Sequence, residues 1–248
     1  NQIASVTDKP IKYLVNTQPH GDHTGGNDTF RPFAVIIAHD NVRKRMLASP
    51  QDIQRDYPVQ LEDAKKRDNA EMAKFFADQI EWAKKVRVEE IPAPILTFDS
   101  EIRVHVGDET IGVWHTPPAH TDGDSVVYFE KANVLHMGDL FFHDVIPFIY
   151  VDSGGSARGY LTALDKVMAR VPAGVTIIPG HGEVTDLEGL RSFHKYVADI
   201  LDVAAKARAA GQSKEEFLTT VDLPAYKSYQ GYADRSKENC AAAYDESR

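Results

Sequence analysis

The chain has little cysteine and no long apolar run, and both features narrow its class. Cys240 is the single cysteine among 248 residues, so no disulfide can form within the chain. One cysteine is compatible with either a reducing or an oxidising compartment. No uninterrupted apolar run approaches the roughly 18 residues that a bilayer-crossing helix needs. We therefore predict a protein without a membrane span.

Basic residues are also in the minority. The sequence has 28 Lys and Arg against 37 Asp and Glu, which gives a formal charge of −9. This balance argues against general nucleic-acid binding, because phosphate backbones are neutralised by basic surfaces. An anionic substrate stays compatible with it, since a bound cation can invert the local field.

Short β-branched runs alternate with helical patterns, which predicts a mixed α/β (α+β) fold. Gly107-Asp108 predicts a hairpin turn between two of the strands. The predicted strands are residues 11–16, 33–38, 102–106, 110–115, 125–130, 134–137 and 176–178.

Three apolar stripes at helical spacing predict core-facing helices, within residues 72–86, 161–168 and 190–204. The segment 43–90 is highly charged and predicts a helical insertion. No linker divides the chain, so we expect one domain over residues 1–248.

The most informative stretch is residues 17–27, which read TQPHGDHTGGN. His20, Asp22 and His23 lie together directly after a predicted strand. Neutral imidazole and carboxylate donors suit zinc or a similar divalent ion. The alternative is a polar turn in which Asp22 caps a helix and the Gly25-Gly26 pair permits an unusual backbone.

Three later residues strengthen the metal hypothesis. His120 lies between two predicted strands, Asp139 follows a strand in HMGD, and His181 follows another in IPGHG. Ends of strands are where sheet proteins place functional groups. Each histidine alone would usually be a surface or hydrogen-bonded residue, but several such positions in one chain favour a metal site.

This set resembles the metallo-β-lactamase superfamily, whose signature is HxHxDH followed by distant His, Asp and His ligands. The resemblance covers about residues 11–182 and implies a four-layer αββα sandwich. Asp139 as the bridging ligand is similar to glyoxalase II-like hydrolases. The runs 117–124 and 136–142 resemble a β-lactamase-like subgroup that is often exported, so a periplasmic or secreted location is favoured over the cytoplasm.

The resemblance also implies two metal positions that share Asp139. One would be formed by Asp22, His23 and His181. The other would use His20 and His120, whereas the family's first histidine is replaced by Gln18. An amide oxygen is a poorer zinc ligand than imidazole, so we expect one well-formed zinc site and one weakened site.

Iron and manganese are also compatible with these donors. Outer acceptors for the histidine rings would come from Asp122, Asp124 or nearby carbonyls.

The implied activity is hydrolysis of a small ester, thioester, lactone or amide, including a β-lactam, by metal-activated water. Asp22 has a second implied role as the residue that orients this water or accepts its proton. The alternative, favoured by Gln18, is a catalytically impaired protein that binds a metal or a partner.

Other polar features have simpler interpretations. We expect His39, His105, His115, His136, His143 and His194 to be structural or solvated, with His143 and Asp144 the best additional site candidates. Residues 153–156 (SGGS) resemble an anion-binding turn, although a helix N-cap is favoured.

The family's first strands precede its metal motif, whereas here the motif arrives at residue 18. We expect these strands to be missing from the chain through trimming or disorder. The alternative is that another copy covers the exposed sheet in a homo-oligomer.

Overall fold

The computed structural model describes residues 3–247 and contains two compact units, one ending at Thr97 and the other beginning at Phe98. The described residues form a three-stranded and a five-stranded β-sheet together with helices. The predicted mixed α/β class is therefore confirmed. One domain over residues 1–248 stays a prediction.

The three-stranded sheet has the order β1-β2-β3, formed by Tyr13–Asn16, Val35–His39 and Leu96–Phe98, and all but the last residue of β3 belong to the first unit. β1 and β2 are parallel, with Tyr13 opposite Val35. Parallel neighbours need a crossover connection. This crossover carries the whole metal motif and contains two short helices, α1 (Gly21–Thr24) and α2 (Asn27–Phe30). The motif therefore begins at the carboxyl end of a parallel strand.

The predicted helical insertion contains two helices, α3 (Asp40–Lys66) and α4 (Ala70–Lys85). Tyr57 on α3 meets Phe76 on α4 edge-to-face, with ring centroids 5.1 Å apart. The expectation that the α4 stripe faces a core is wrong, because Ala83 is its one buried member among the described residues. A helix that packs against a single partner helix buries only one side of an apolar stripe.

The second unit contains a five-stranded sheet in sequential order. Its first four strands are antiparallel neighbours and the last pairs in parallel. Gly107 takes a φ of 63° in the predicted hairpin turn, a conformation that glycine adopts without strain. The strands are β4 (Glu101–Val106), β5 (Glu109–His115), β6 (Ser125–Phe129), β7 (Val134–His136) and β8 (Thr176–Ile178).

Four helices complete the second unit: α5 (Ala157–Arg170), α6 (Leu187–Ala209), α7 (Lys214–Thr220) and α8 (Tyr232–Glu246). The predicted stripes on α5 and α6 do face the core, as buried residues such as Leu164 on α5 and Phe193 on α6 demonstrate. No helix among residues 3–247 is both long and apolar enough to cross a membrane.

The SGGS turn leads into α5 as an ordinary helix start. Ser156 is the N-cap and its hydroxyl accepts a hydrogen bond from the Gly159 amide at 2.9 Å. The anion at this helix terminus is the carboxylate of Glu246, from the end of α8. It accepts hydrogen bonds from the amides of Ala157 and Arg158, each at 2.9 Å. The N-cap interpretation is therefore confirmed, and the anion position is occupied by the chain itself.

Replacing Glu246 with alanine should lower the free energy of unfolding by about 1–3 kcal/mol, because the amide donors at the start of α5 lose their acceptor. Chemical denaturation followed by circular dichroism measures this change. Glu238→Ala, at an exposed position of the same helix, serves as the control and should stay near the parent value. Equal losses in both variants would contradict a specific role for Glu246.

Candidate metal centre

The first unit places its motif residues in and just before α1. His20 precedes the helix as its N-cap residue, and Asp22 lies within the first turn. Asp22 Oδ2 is 3.3 Å from His23 Nε2, and the Asp22 side chain is 56% exposed. The alternative in which Asp22 caps a helix is wrong. The Gly25-Gly26 pair adopts ordinary helical angles, so it does not supply an unusual backbone.

Gln18 is buried, and its amide oxygen accepts a hydrogen bond from the backbone N–H of His20 at 2.7 Å. This contact closes the turn in front of α1. The oxygen predicted as a weak metal ligand thus also stabilises the loop that carries His20. A role for Gln18 in metal binding stays a prediction.

A buried pair of amides fixes the motif loop in the first unit, and sequence reasoning missed it. Asn16 Nδ2 donates to Asn27 Oδ1 at 3.0 Å, and Asn27 Nδ2 donates back to Asn16 Oδ1 at 2.9 Å. Asn16 also donates to the His23 carbonyl at 3.0 Å. The end of β1 is therefore tied to both helices of the crossover, and asparagine at a strand end was the available signal.

In the second unit, Asp139 lies between two imidazoles. Its Oδ2 is 3.2 Å from His120 Nε2, and its Oδ1 is 3.5 Å from His181 Nε2. The side chains of Asp139 and His120 are 4% and 1% exposed, whereas that of His181 is 46% exposed. The structure thus brings together the three predicted ligands of this unit, with one side open to solvent.

The tautomer of His120 follows from its hydrogen bond. Nδ1 lies 2.8 Å from the carbonyl oxygen of Phe148, which can only accept, so Nδ1 carries the hydrogen. Nε2 of a neutral His120 then presents its lone pair toward Asp139. A lone pair facing a carboxylate at 3.2 Å is stabilised only when a positive charge, a proton or a metal ion, lies between them.

The predicted outer acceptor for His120 is therefore a carbonyl and neither Asp122 nor Asp124. Asp124 instead holds the backbone, since its Oδ2 accepts from the amides of His120 at 2.7 Å and Thr121 at 2.9 Å. Burial raises the pKa of Asp124 to about 6, against the opposing effects of His120 and Thr121. Asp124 therefore fixes the loop backbone from which the His120 side chain extends.

Further contacts hold Asp139 and His181. The buried Tyr160 hydroxyl donates to the Asp139 carbonyl at 2.7 Å. The His181 ring stacks on Phe142, with centroids 5.1 Å apart and an interplanar angle of 14°. His143 donates from its amide to the His181 carbonyl at 2.9 Å, and its ring Nδ1 lies 2.8 Å from the Glu183 carbonyl.

His143 is consequently a support for the His181 loop, since both of its hydrogen bonds go to backbone carbonyls there. The five other predicted structural histidines also make hydrogen bonds within their own unit. Their partners are Asn41 for His39, Thr110 for His105, Asp124 for His115, Gly138 for His136 and Asp165 for His194.

Comparison with known proteins identifies the family. The sequence model of the metallo-beta-lactamase superfamily matches residues 2–181, which is more than half of the chain. The chain therefore belongs to the metallo-β-lactamase superfamily. The predicted class, the mixed α/β fold of this family, is confirmed.

A curated relative, an uncharacterized protein of Aquifex aeolicus (strain VF5), is 29% identical over 111 residues. The match covers 45% of this chain and 52% of the relative, so the chain spans about half the length of that protein.

Two solved structures share the fold. A metallo-beta-lactamase from Pontibacter korlensis aligns with a TM-score of 0.54 and 16% identity, over 79% of this chain and 74% of that one. The stereoselective inverting sec-alkylsulfatase Pisa1 from Pseudomonas sp. aligns with a TM-score of 0.63 and 15% identity, over 98% of this chain and 42% of that one. At these identities the likeness concerns the fold alone.

Proposed function

We propose that the chain is a metal-dependent hydrolase that uses metal-activated water on a small substrate. The observation that carries the proposal is the buried Asp139 carboxylate with an imidazole Nε2 near each of its oxygens, at 3.2 and 3.5 Å. Such an arrangement of two imidazoles and one carboxylate suits a divalent cation.

The donors Asp22, His23, Asp139 and His181 have the number and chemistry that could hold a metal ion. We assign them to the better-formed position, with Asp139 shared by a second, weaker one. The weaker position would use His20 and His120, with Gln18 in place of a histidine. Zinc is the proposed ion, and iron and manganese are compatible with the same nitrogen and oxygen donors.

A bound divalent ion lowers the pKa of water and polarises the substrate oxygen. The chain's own residues would position the water and the ion. Asp22, whose side chain is more than half exposed, would orient the water or accept its proton. His120 is kept in one tautomer by the Phe148 carbonyl, so its Nε2 is available as a donor to the ion.

The proposed substrate classes are a small ester, thioester, lactone or amide, and a β-lactam belongs among them. The two structural neighbours broaden this range, because one is a metallo-beta-lactamase and the other acts on secondary alkyl sulfates by its name. We propose a periplasmic or secreted location for the enzyme, from the subgroup that its motifs resemble.

The second candidate is a catalytically impaired protein of the same fold that binds a metal or a partner. Gln18 favours it, because its oxygen already accepts a hydrogen bond from the His20 amide at 2.7 Å. A glutamine that closes the loop does not replace the donor strength of imidazole.

A zinc titration followed by a hydrolysis panel separates the two candidates. The panel contains an aryl ester, a thioester, a lactone, an amide, a β-lactam and a secondary alkyl sulfate. Zinc uptake with zinc-dependent turnover of one class is the expected result. Zinc uptake without turnover of any class would favour the binding protein, and a chain that takes up no divalent metal would overturn both metal-dependent candidates.

Gln18→His should add a second equivalent of bound zinc, because it supplies the missing imidazole of the weaker position. Mass spectrometry of metal content at saturating zinc measures the change. Gln54→His, on α3 of the same unit, tests for incidental binding by an added histidine and should leave the zinc content unchanged. An unchanged content in Gln18→His would contradict the assignment of residue 18 to a metal position.

A further inference from the structure

Residues 144–150 include Phe148, whose carbonyl orients His120. Hydrogen bonds from other parts of the chain hold this segment in place. At its start, the Gln230 amide donates to the Asp144 carbonyl at 3.0 Å, and the Ile146 amide donates to the Gln230 carbonyl at 2.9 Å. At its end, the Tyr150 amide donates to the His120 carbonyl at 3.1 Å. The segment is therefore hydrogen-bonded at its start to Gln230, two residues before α8, and at its end to the proposed ligand His120.

Two side chains of α8 hold the middle of this segment. Arg235 donates from Nη1 to the Ile146 carbonyl at 3.1 Å, and its guanidinium lies 4.0 Å from the centroid of the Phe148 ring. Asn239 is buried and donates from Nδ2 to the Pro147 carbonyl at 3.0 Å. A second bond from the same nitrogen reaches the Tyr196 hydroxyl at 2.9 Å.

These bonds form a continuous series along the backbone. The carbonyls of Ile146 and Pro147 accept from α8, and the next carbonyl, of Phe148, accepts from His120 Nδ1 at 2.8 Å. Because each peptide unit is planar, fixing the Pro147 carbonyl also fixes the Cα of Phe148, and only φ and ψ of Phe148 then set the direction of its carbonyl.

We propose that α8 is a positioning element for the metal centre, in which Arg235 and Asn239 set the tautomer and direction of His120 through the Phe148 carbonyl. The importance of this for catalysis rests on the proposed function, whereas the effect on His120 itself does not. The family match ends at residue 181, so α8 lies outside it. Arg235 and Asn239 act on His120 through the backbone of residues 146–148 and are therefore positioning residues.

The chain offers a matched control. Arg208 also places its guanidinium over a ring, 4.3 Å from the centroid of Tyr244, and donates to a backbone carbonyl, that of Tyr244, at 2.9 Å. It holds the end of α8 and does not contact residues 144–150 through these bonds. Arg208→Gln therefore loosens α8 to a similar degree as Arg235→Gln does, without releasing the Phe148 segment.

The experiment compares Arg235→Gln, Asn239→Asp and Arg208→Gln with the parent protein, each labelled with ¹⁵N-histidine. Asn239→Asp keeps the side-chain size and replaces the donor with an acceptor that faces the Pro147 carbonyl. Circular dichroism during heating establishes that each variant is folded at the temperature of measurement. Because the two test variants are independent, either one alone suffices if the other does not fold.

In the metal-free protein, the imidazole spectrum of the parent should show that His120 Nδ1 carries a hydrogen. Arg235→Gln and Asn239→Asp should give a mixture of tautomers, and Arg208→Gln should match the parent. On addition of zinc, the zinc concentration at the midpoint of the His120 Nε2 signal shift should rise about 10-fold in the two test variants. This is the lower end of the usual loss of metal affinity when a hydrogen-bond partner of a ligand is removed.

Parent-like tautomers in both test variants, or the same change in Arg208→Gln, would overturn the inference. A parent protein in which zinc leaves the His120 signal unmoved would count against the proposed function at that position. The tautomer comparison would then still decide the inference, so the two failures are distinguishable.

Discussion

Asp139→Ala is expected to remove most of the bound zinc and all measurable zinc-dependent hydrolysis. Asp139 is the proposed ligand of both metal positions, and its buried carboxylate lies within 3.5 Å of His120 and His181. Removing one partner of a buried charged arrangement costs roughly 3–5 kcal/mol. At about 1.4 kcal/mol for each tenfold change, zinc affinity should fall by roughly 100- to 4,000-fold.

The comparison variant for this prediction is His120→Ala, which should lose less zinc because His120 belongs to the weaker position. Zinc content after dialysis and a competition titration with a chromogenic chelator measure both variants. Asp165→Ala removes another carboxylate that lies beside a histidine, 3.1 Å from His194 Nε2, and should keep the parent's zinc content. Equal zinc contents in Asp139→Ala and His120→Ala would contradict the assignment of Asp139 to the stronger position.

Gly180→Ala is expected to weaken zinc binding strongly, though less than Asp139→Ala, while every proposed ligand residue is kept. An added Cβ at this position would collide with Asp139 Oδ1 and would lie 2.7 Å from the carbonyl carbon and oxygen of Gly138. The Gly180 amide donates to the Gly138 carbonyl at 2.8 Å, so the backbone has little freedom to withdraw. Overpacking of this kind costs about 1–3 kcal/mol of stability.

Displacement of Asp139 should also reduce zinc affinity by roughly 10- to 100-fold, as loss of ligand support commonly does. Denaturant unfolding and isothermal titration with zinc measure the two effects. Gly174→Ala is the control, because the nearest atom to its added Cβ is Asn133 Nδ2 at 4.0 Å. The prediction is refuted by a Gly180→Ala protein that matches Gly174→Ala in both measurements.

Residue type and spacing predicted the parts of the fold that have strong local patterns. The strand Thr176–Ile178 has the predicted bounds, and helix α6 contains the predicted stripe. The missed helix α8 buries small or polar residues such as Asn239, Cys240 and Ala243, which make no stripe of large apolar side chains. The error at α4 has a different cause, since periodicity predicts an apolar face and does not reveal how fully that face will be covered.

Some parts of the candidate site could likewise be predicted from the sequence and others could not. His120, Asp139 and His181 could be predicted because their side chains carry the chemistry and each follows a strand. The contact that selects the His120 tautomer could not, because its acceptor is the backbone carbonyl of Phe148, which every residue possesses. The supports from α8 lie 89 and 92 residues along the chain from their acceptors, so no local pattern relates them.

The carboxylate at the start of α5 has a consequence for which substrates the protein can accept. A sulfate or phosphate group approaching that helix terminus would compete with Glu246, which already receives the amides of Ala157 and Arg158. A tethered competitor acts at an effective concentration of roughly millimolar or more. Free anions at micromolar levels would therefore be outcompeted at this helix terminus.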